Sequence, residues 1–199
     1  MTIGVIDTGC ANLASVRFAL ERAMLSYRVV TRPDEGAACE RLILPGVGAA
    51  GPAMAQLQAR GWDTALKAET RPVLGICLGM QLLFERSAEG DVECLGLIPG
   101  GIEKLPRPDD GVWPHMGWNT LDFTPGAEPL LAGVKRGAHV YFVHGFFAPV
   151  GSHTRANSRY GSEVSAIVRK GNVAGCQFHP ERSGVVGARI LTNFAKSSA

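Results

Sequence analysis

Two short segments of this 199-residue chain hold the residue types that acyl-transfer chemistry needs. The first is Gly75-Ile76-Cys77-Leu78-Gly79, a thiol with glycine two places before it and two places after. This is the G-x-S-x-G elbow with cysteine for serine, set between a strand-like run, Pro72 to Ile76, and an apolar helix-like run, Leu78 to Phe84. A sharp strand-to-helix turn crowds the neighbours of its central residue, and glycine removes the Cβ atoms that would collide. At a helix N-terminus, unpaired N–H groups and the positive end of the dipole favour the Cys77 thiolate, and the Leu78 N–H faces a developing oxyanion. Taken alone, a cysteine in a glycine-rich turn is more often a buried, inert residue.

The second segment shifts that balance. Val173 to Phe178 reads as a strand that runs into His179-Pro180-Glu181. In extended chain, residues i and i+2 face the same side, and the Pro180 ring biases the chain towards extension. Glu181 can then orient the His179 imidazole, giving a base held by a carboxylate for delivery to a thiol.

These groups need a scaffold, and the first half of the chain supplies its pattern. Ile3 to Ile6, Arg28 to Thr31, Arg41 to Leu44 and Val73 to Ile76 are predicted strands bounded by Gly, Pro or Asp, with helices between them. Leu13, Val16, Leu20 and Met24 recur at helical spacing, as do Val186, Ile190 and Phe194 behind a Ser183 cap. Strands alternating with helices imply right-handed crossovers and a mostly parallel sheet covered on both faces. From about Gly96 to Phe178 the pattern becomes that of hairpins. Trp118 to Phe123, His139 to Val143, Val164 to Arg169 and Val173 to Phe178 are expected to extend the sheet in antiparallel fashion. With no repeat, low-complexity tract or long linker, residues 1–199 are expected to form a single α/β domain.

Composition narrows the function. With 46% hydrophobic residues the chain can bury a core without a staple, and 20 basic residues against 18 acidic ones are spread along it, which argues against nucleic acid as a partner. The five cysteines, Cys10, Cys39, Cys77, Cys94 and Cys176, show no C-x-x-C pair, so no disulfide framework, no metal site and a reducing cytoplasm are expected. No secretory leader and no membrane-length apolar run are apparent.

Gly46-Val47-Gly48-Ala49-Ala50-Gly51 matches the dinucleotide fingerprint G-x-G-x-x-G, so a nucleotide-binding or oxidoreductase module is the alternative function. Against it, the next strand ends in Gly75-Ile76-Cys77 where a ribose-binding acid belongs, and the motif does not open the fold.

The elbow and the His-Pro-Glu segment together resemble the class I glutamine amidotransferases. Similarity to the glutaminase subunits of imidazole glycerol phosphate synthases, in histidine biosynthesis, covers nearly the whole chain. It rests on Asp7-Thr8-Gly9-Cys10-Ala11-Asn12-Leu13, Leu44-Pro45-Gly46-Val47-Gly48, Gly75 to Leu83 with Met80, Pro114-His115-Met116-Gly117-Trp118-Asn119, Tyr141-Phe142-Val143-His144 and Gln177 to Ser183. The resemblance implies a flavodoxin-like three-layer fold and a Cys77, His179, Glu181 triad that hydrolyses glutamine, without a cofactor. It implies substrate contacts from Gly46, Val47, Gly48, Leu78, Gln81, His144, Gly145 and Phe146. It further implies a heterodimer with a (β/α)8 cyclase subunit, docked at a face bordered by Asn12, Met116, Trp118 and Arg182. Other synthases' glutaminases are the nearest alternative. One departure stands out: after Tyr-Phe-Val-His the family usually has a hydroxyl residue and then Tyr, whereas this chain has Gly145-Phe146.

Overall fold

The strands Ile3–Ile6 (β1), Arg41–Gly46 (β3) and Val73–Cys77 (β4) carry β-branched and aliphatic residues that are almost entirely buried, as strands covered on both faces must be, while Tyr27–Val30 (β2), at the sheet edge, buries only Val30. Helices Leu13–Arg22 (α1), Ala50–Ala59 (α2) and Trp62–Lys67 (α3) provide the crossovers, and the single turn Leu78–Gln81 (α4) follows β4. Then come the short strands Arg86–Ser87 (β5), Val92–Glu93 (β6) and Gly101–Lys104 (β7). His115–Thr120 (β8), His139–His144 (β9), Phe146–Phe147 (β10), Thr154–Tyr160 (β11), Ser162–Lys170 (β12), Val173–Cys176 (β13) and helix Gly184–Lys196 (α5) complete the chain. This computed structural model describes residues 1–9, 12–109 and 111–196; Cys10 and Ala11 of the first motif lie outside the described residues.

The main sheet has the order β11-β12-β13-β4-β3-β1-β2. Its β13-β4-β3-β1-β2 part is parallel, while β12 joins β13, and β11 joins β12, in antiparallel fashion. Period-two alternation divides the core. Ile3, Val5, Ile43, Leu74 and Ile76 meet Val16 and Leu20 of α1 and Ile190, Leu191 and Phe194 of α5. Ile6, Leu42, Leu44 and Val73 face the other way, onto Met54 and Leu57 of α2 and Trp62 and Leu66 of α3. Each such aliphatic or aromatic side chain removed from water contributes on the order of 1.5–3 kcal/mol. The result is the expected helix, sheet, helix layering.

The hairpin region departs from expectation. Of its four predicted strands only the last two lie in the main sheet; β8 and β9 form a separate antiparallel ribbon, and β10-β7-β5-β6 a small second sheet. The β8–β9 ribbon lays Val140 and Phe142 against the α1/α5 core, so packing on that layer replaces edge pairing. The α1 stripe also ends early. Helix α1 stops at Arg22, and Met24 has φ +54° and is 91% exposed, because the chain reverses there to enter β2. Among the described residues no helix is long and apolar enough to cross a membrane.

Candidate active site

Cys77 ends β4 with φ +53° and ψ −111°, a conformation that L-residues with a Cβ rarely hold and that an elbow imposes. The flanking glycines are required by close approach. A Cβ on Gly79 would lie 1.8 Å from the Leu44 carbonyl oxygen, and one on Gly75 would lie 2.7 Å from the Met80 backbone. The expected helix Leu78 to Phe84 is cut to one turn. After Gln81 the chain tightens through bonds from the Leu83 N–H to the Met80 carbonyl and from the Phe84 N–H to the Gln81 carbonyl. The carbonyls of Leu82, Leu83 and Phe84 then accept N–H bonds from Leu95 to Ile98. A one-turn helix has little macrodipole, so the dipole support expected for a Cys77 thiolate is small.

His179 is reached from β13 through Gln177 and Phe178, and its N–H donates to the Tyr141 carbonyl at 2.9 Å. The chain does not stay extended through Pro180. His179 itself is extended, as the residue before proline prefers, but Pro180–Arg182 form a 3-10 turn in which proline opens the first position. Glu181 is brought back by this turn, so that Glu181 Oε1 lies 2.7 Å from His179 Nδ1. Ser183 Oγ donates to the His179 carbonyl at 2.7 Å and accepts from the Tyr141 N–H at 3.0 Å, locking the turn to β9. Gly187 lets α5 seat against it: a Cβ there would lie 1.8 Å from the Pro180 carbonyl oxygen.

Burial of His179 works to lower its pKa, but hydrogen bonds and charge from Cys77 and Glu181 outweigh it and raise the imidazole to about 10. With Nδ1 on Glu181, Nε2 is left for Cys77. The Cys77 sulfur lies 3.6 Å from the Val143 carbonyl oxygen and 3.9 Å from Gln177 Nε2. Cys77 and His179 open onto a cavity of about 250 Å³, a size for a single amino acid. Of the expected substrate contacts, Val47, Gly48, Leu78, Gln81, His144, Gly145 and Phe146 line it. Gly46 does not; it is buried in β3 in register with Cys77, and the wall starts at Val47. Gln81 is 4% exposed, and its Nε2 donates to the Phe146 carbonyl at 2.8 Å and to Gln177 Oε1 at 3.0 Å.

The cavity also includes Glu89, Pro114 and Val143. Pro114 and Val143 lie within the recognised motifs, but Glu89 sits in a turn between two-residue strands and leaves no periodic signal. It bears on the dinucleotide alternative. Glu89 Oε2 accepts the Ala50 N–H, at 2.9 Å, in the first turn of α2, so a carboxylate occupies the place where that fingerprint would hold pyrophosphate.

Outside the cavity, Met116 and Trp118 are 62% and 56% exposed on one side of β8. Trp118 meets Tyr141 edge-on at 5.8 Å, and the Arg182 guanidinium stacks 4.7 Å over the same Tyr141 ring. Asn12 caps α1 by accepting from the Ser15 N–H, and α1 packs on the Pro180–Arg182 turn, where Arg22 donates to the Glu181 carbonyl.

The family model described as glutamine amidotransferase class-I matches residues 5–197. The chain belongs to that family. Among curated relatives, the imidazole glycerol phosphate synthase subunit HisH of Xanthomonas euvesicatoria is 51% identical over 198 residues, covering 98% of both chains. The protein of the same description from Shewanella oneidensis is 46% identical over 210 residues, covering 96% of this chain and 94% of the relative. Solved structures share the fold at lower identity. A glutamine amidotransferase superposes with TM-score 0.74 at 18% identity, covering 98% and 97% of the two chains. PurLQS of Thermotoga maritima does so with TM-score 0.73 at 21% identity, covering 98% and 97%. In this class I amidotransferase, then, the dinucleotide reading of Gly46 to Gly51 is set aside.

Proposed function

We propose that this chain is the glutaminase subunit of an imidazole glycerol phosphate synthase, releasing ammonia from glutamine for a cyclase subunit. The observation that carries the chemistry is a thiol on a strained elbow that shares one cavity with a buried imidazole oriented by a carboxylate. Identity over essentially the full length of relatives described as that synthase's subunit carries the choice among amidotransferases.

In this reading the whole chain acts as one cytoplasmic domain. Cys77 adds to the carboxamide carbon while backbone N–H groups of Leu78 and the Val47–Gly48 segment receive the oxyanion. His179, protonated at the start, gives its Nε2 proton to the departing ammonia, leaving a glutamyl thioester on Cys77. Water then attacks the thioester with His179 as base, and glutamate leaves. Gln81 and the His144–Phe146 backbone hold the substrate's amino-acid end, with the Glu89 carboxylate available to its ammonium group. The Gly145-Phe146 pair supplies no hydroxyl, so backbone contacts carry more of that recognition.

Ammonia released into water becomes ammonium, which is no nucleophile, so its delivery needs a docked acceptor site. The partner is a (β/α)8 cyclase that joins ammonia to a ribulosyl aminoimidazole carboxamide nucleotide, giving imidazole glycerol phosphate and an aminoimidazole carboxamide ribotide. Met116, Trp118, Arg182 and Asn12 border the docking face; unchanged partner affinity in both Arg182→Glu and Trp118→Ala would remove that assignment.

The test is glutamate release from glutamine by the chain alone and with the cyclase subunit and its nucleotide ligand, with Cys77→Ala as control. Strong stimulation that the mutant loses supports both chemistry and partner. Turnover indifferent to the cyclase points to another synthase, and no Cys77-dependent turnover removes the triad reading.

A further inference from the structure

His115 and His144 face each other across the β8–β9 ribbon and are 2% and 5% exposed, yet neither belongs to the triad. Their hydrogen bonds admit one arrangement of protons. His144 Nδ1 lies 2.9 Å from the Phe146 carbonyl oxygen, which can only accept, so Nδ1 carries the proton and Nε2 is an acceptor. His115 Nδ1, 3.0 Å from His144 Nε2, must therefore donate, which leaves His115 Nε2 to accept from Asn119 Nδ2 at 3.4 Å. Both rings are neutral in this scheme. Burial agrees, holding His115 down at about 4 and His144 at about 3.

The same carbonyl continues the chain towards the nucleophile. Phe146 O also accepts from Gln81 Nε2, whose second hydrogen goes to Gln177 Oε1, which turns Gln177 Nε2 towards the Cys77 sulfur. Both protons of the Gln81 amide are thereby committed, and the orientation of the Gln177 amide follows. At the outer end the His115 ring is clamped between Phe142, at 4.8 Å and 20°, and Tyr160, at 4.0 Å and 15°.

We propose that His115 and His144 are positioning residues for hydrolysis at Cys77, holding the Phe146 carbonyl and, through Gln81 and Gln177, the nucleophile's surroundings in register with strand β8. The proposal rests on the reading of Cys77 as nucleophile. It gives β8 two duties: its exposed Met116 and Trp118 border the docking face, while His115 on the same strand is hydrogen-bonded to His144, which lines the glutamine cavity, so a shift of β8 on docking is carried to Cys77 by directed hydrogen bonds.

Two substitutions separate positioning from packing. His115→Phe keeps the clamped ring but removes the donor to His144; His115→Asn restores an amide N–H near the Nδ1 position but forfeits the stacking. Glutamate release is measured with the full chain bound to the cyclase subunit and its nucleotide ligand, alongside thermal unfolding and the Cys77→Ala control. His115→Phe is expected to stay folded, with a lowered unfolding midpoint from the buried His144 Nε2 acceptor it leaves unpaired, and to lose about ten-fold in kcat, the scale of one buried hydrogen bond. His115→Asn is expected to be less stable and yet to retain more kcat than His115→Phe. The reverse order, or parental kcat in both, overturns the proposal. Ring nitrogen NMR of the parent protein gives an independent check: both rings should stay neutral and Nδ1-protonated between about pH 5 and 8, and titration or the other tautomer there overturns it. Absence of Cys77-dependent turnover in the parent would instead remove the nucleophile reading itself.

Discussion

Glu181 Oε1 stands 2.7 Å from His179 Nδ1, while the other oxygen of the same carboxylate is buried without a hydrogen-bond partner among the described residues. The carboxylate therefore acts on one neighbour, the imidazole. Glu181→Gln keeps the size but removes the charge that helps hold the imidazole's proton. It is expected to lower kcat for glutamine hydrolysis by about 100-fold, within the range of a misdirected acid–base group, with KM changed far less. Steady-state kinetics of glutamate release check this.

The raised His179 pKa has a consequence for stability. An unfolded imidazole titrates near ~6.5, and the folded value is about 10. The folded state thus binds the proton more tightly, and stability decreases with rising pH wherever the native state holds more protons. The contribution is complete below the unfolded value and is lost progressively as pH rises through the folded one. Denaturant unfolding across that window should show a decline that His179→Gln flattens.

Gly145 explains how the chain accommodates its departure from the family pattern. A Cβ at this position would lie 2.7 Å from Trp113 Cζ2 and 3.2 Å from Cε2. Gly145→Ser is accordingly expected to destabilise by about 1 kcal/mol, the low end of overpacking because the 39% exposed Trp113 ring can give way, and to raise KM for glutamine because Gly145 lines the cavity. Adding Trp113→Ala should recover most of the stability. Chemical denaturation of the single and double variants measures the coupling.

Far from the cavity, Arg169 Nε and Nη2 donate to Glu128 at 2.8 and 2.6 Å, and the same carboxylate accepts from the Leu130 N–H. The Glu128 side chain is 1% exposed and the Arg169 side chain 23%. Glu128→Ala leaves a partly buried cation without its partner and is expected to cost about 1.5–3 kcal/mol, the scale of hydrogen bonds to a charged group. Asp122→Ala, at the exposed pair with Arg136, should leave the unfolding midpoint near the parent's.

Much of the site was legible because its signals are local. The elbow glycines follow from steric crowding within five residues, and the strands β1, β3 and β4 from short apolar runs with turn residues at their ends. The His179 and Glu181 pairing is a relation between residues two apart. The way they meet was less legible, because a proline can continue an extended strand or open a 3-10 turn, and Ser183 and Gly187 select the turn through contacts with β9 and α5.

The sequence alone picked out the proposed nucleophile, base and acid, and it determined the parallel half of the sheet and the family. Tertiary structure decided the rest of the cavity: Glu89 at the start of α2, Val143 beside the sulfur, Gly46 withdrawn into the sheet, and β8 paired with β9 off the main sheet. The division has one physical cause. Backbone sterics and side-chain periodicity act over a few residues and are written in order along the chain. Which hairpin packs on which layer, and which buried polar atom finds which partner, depends on contacts across the whole fold, where every buried group must be satisfied at once.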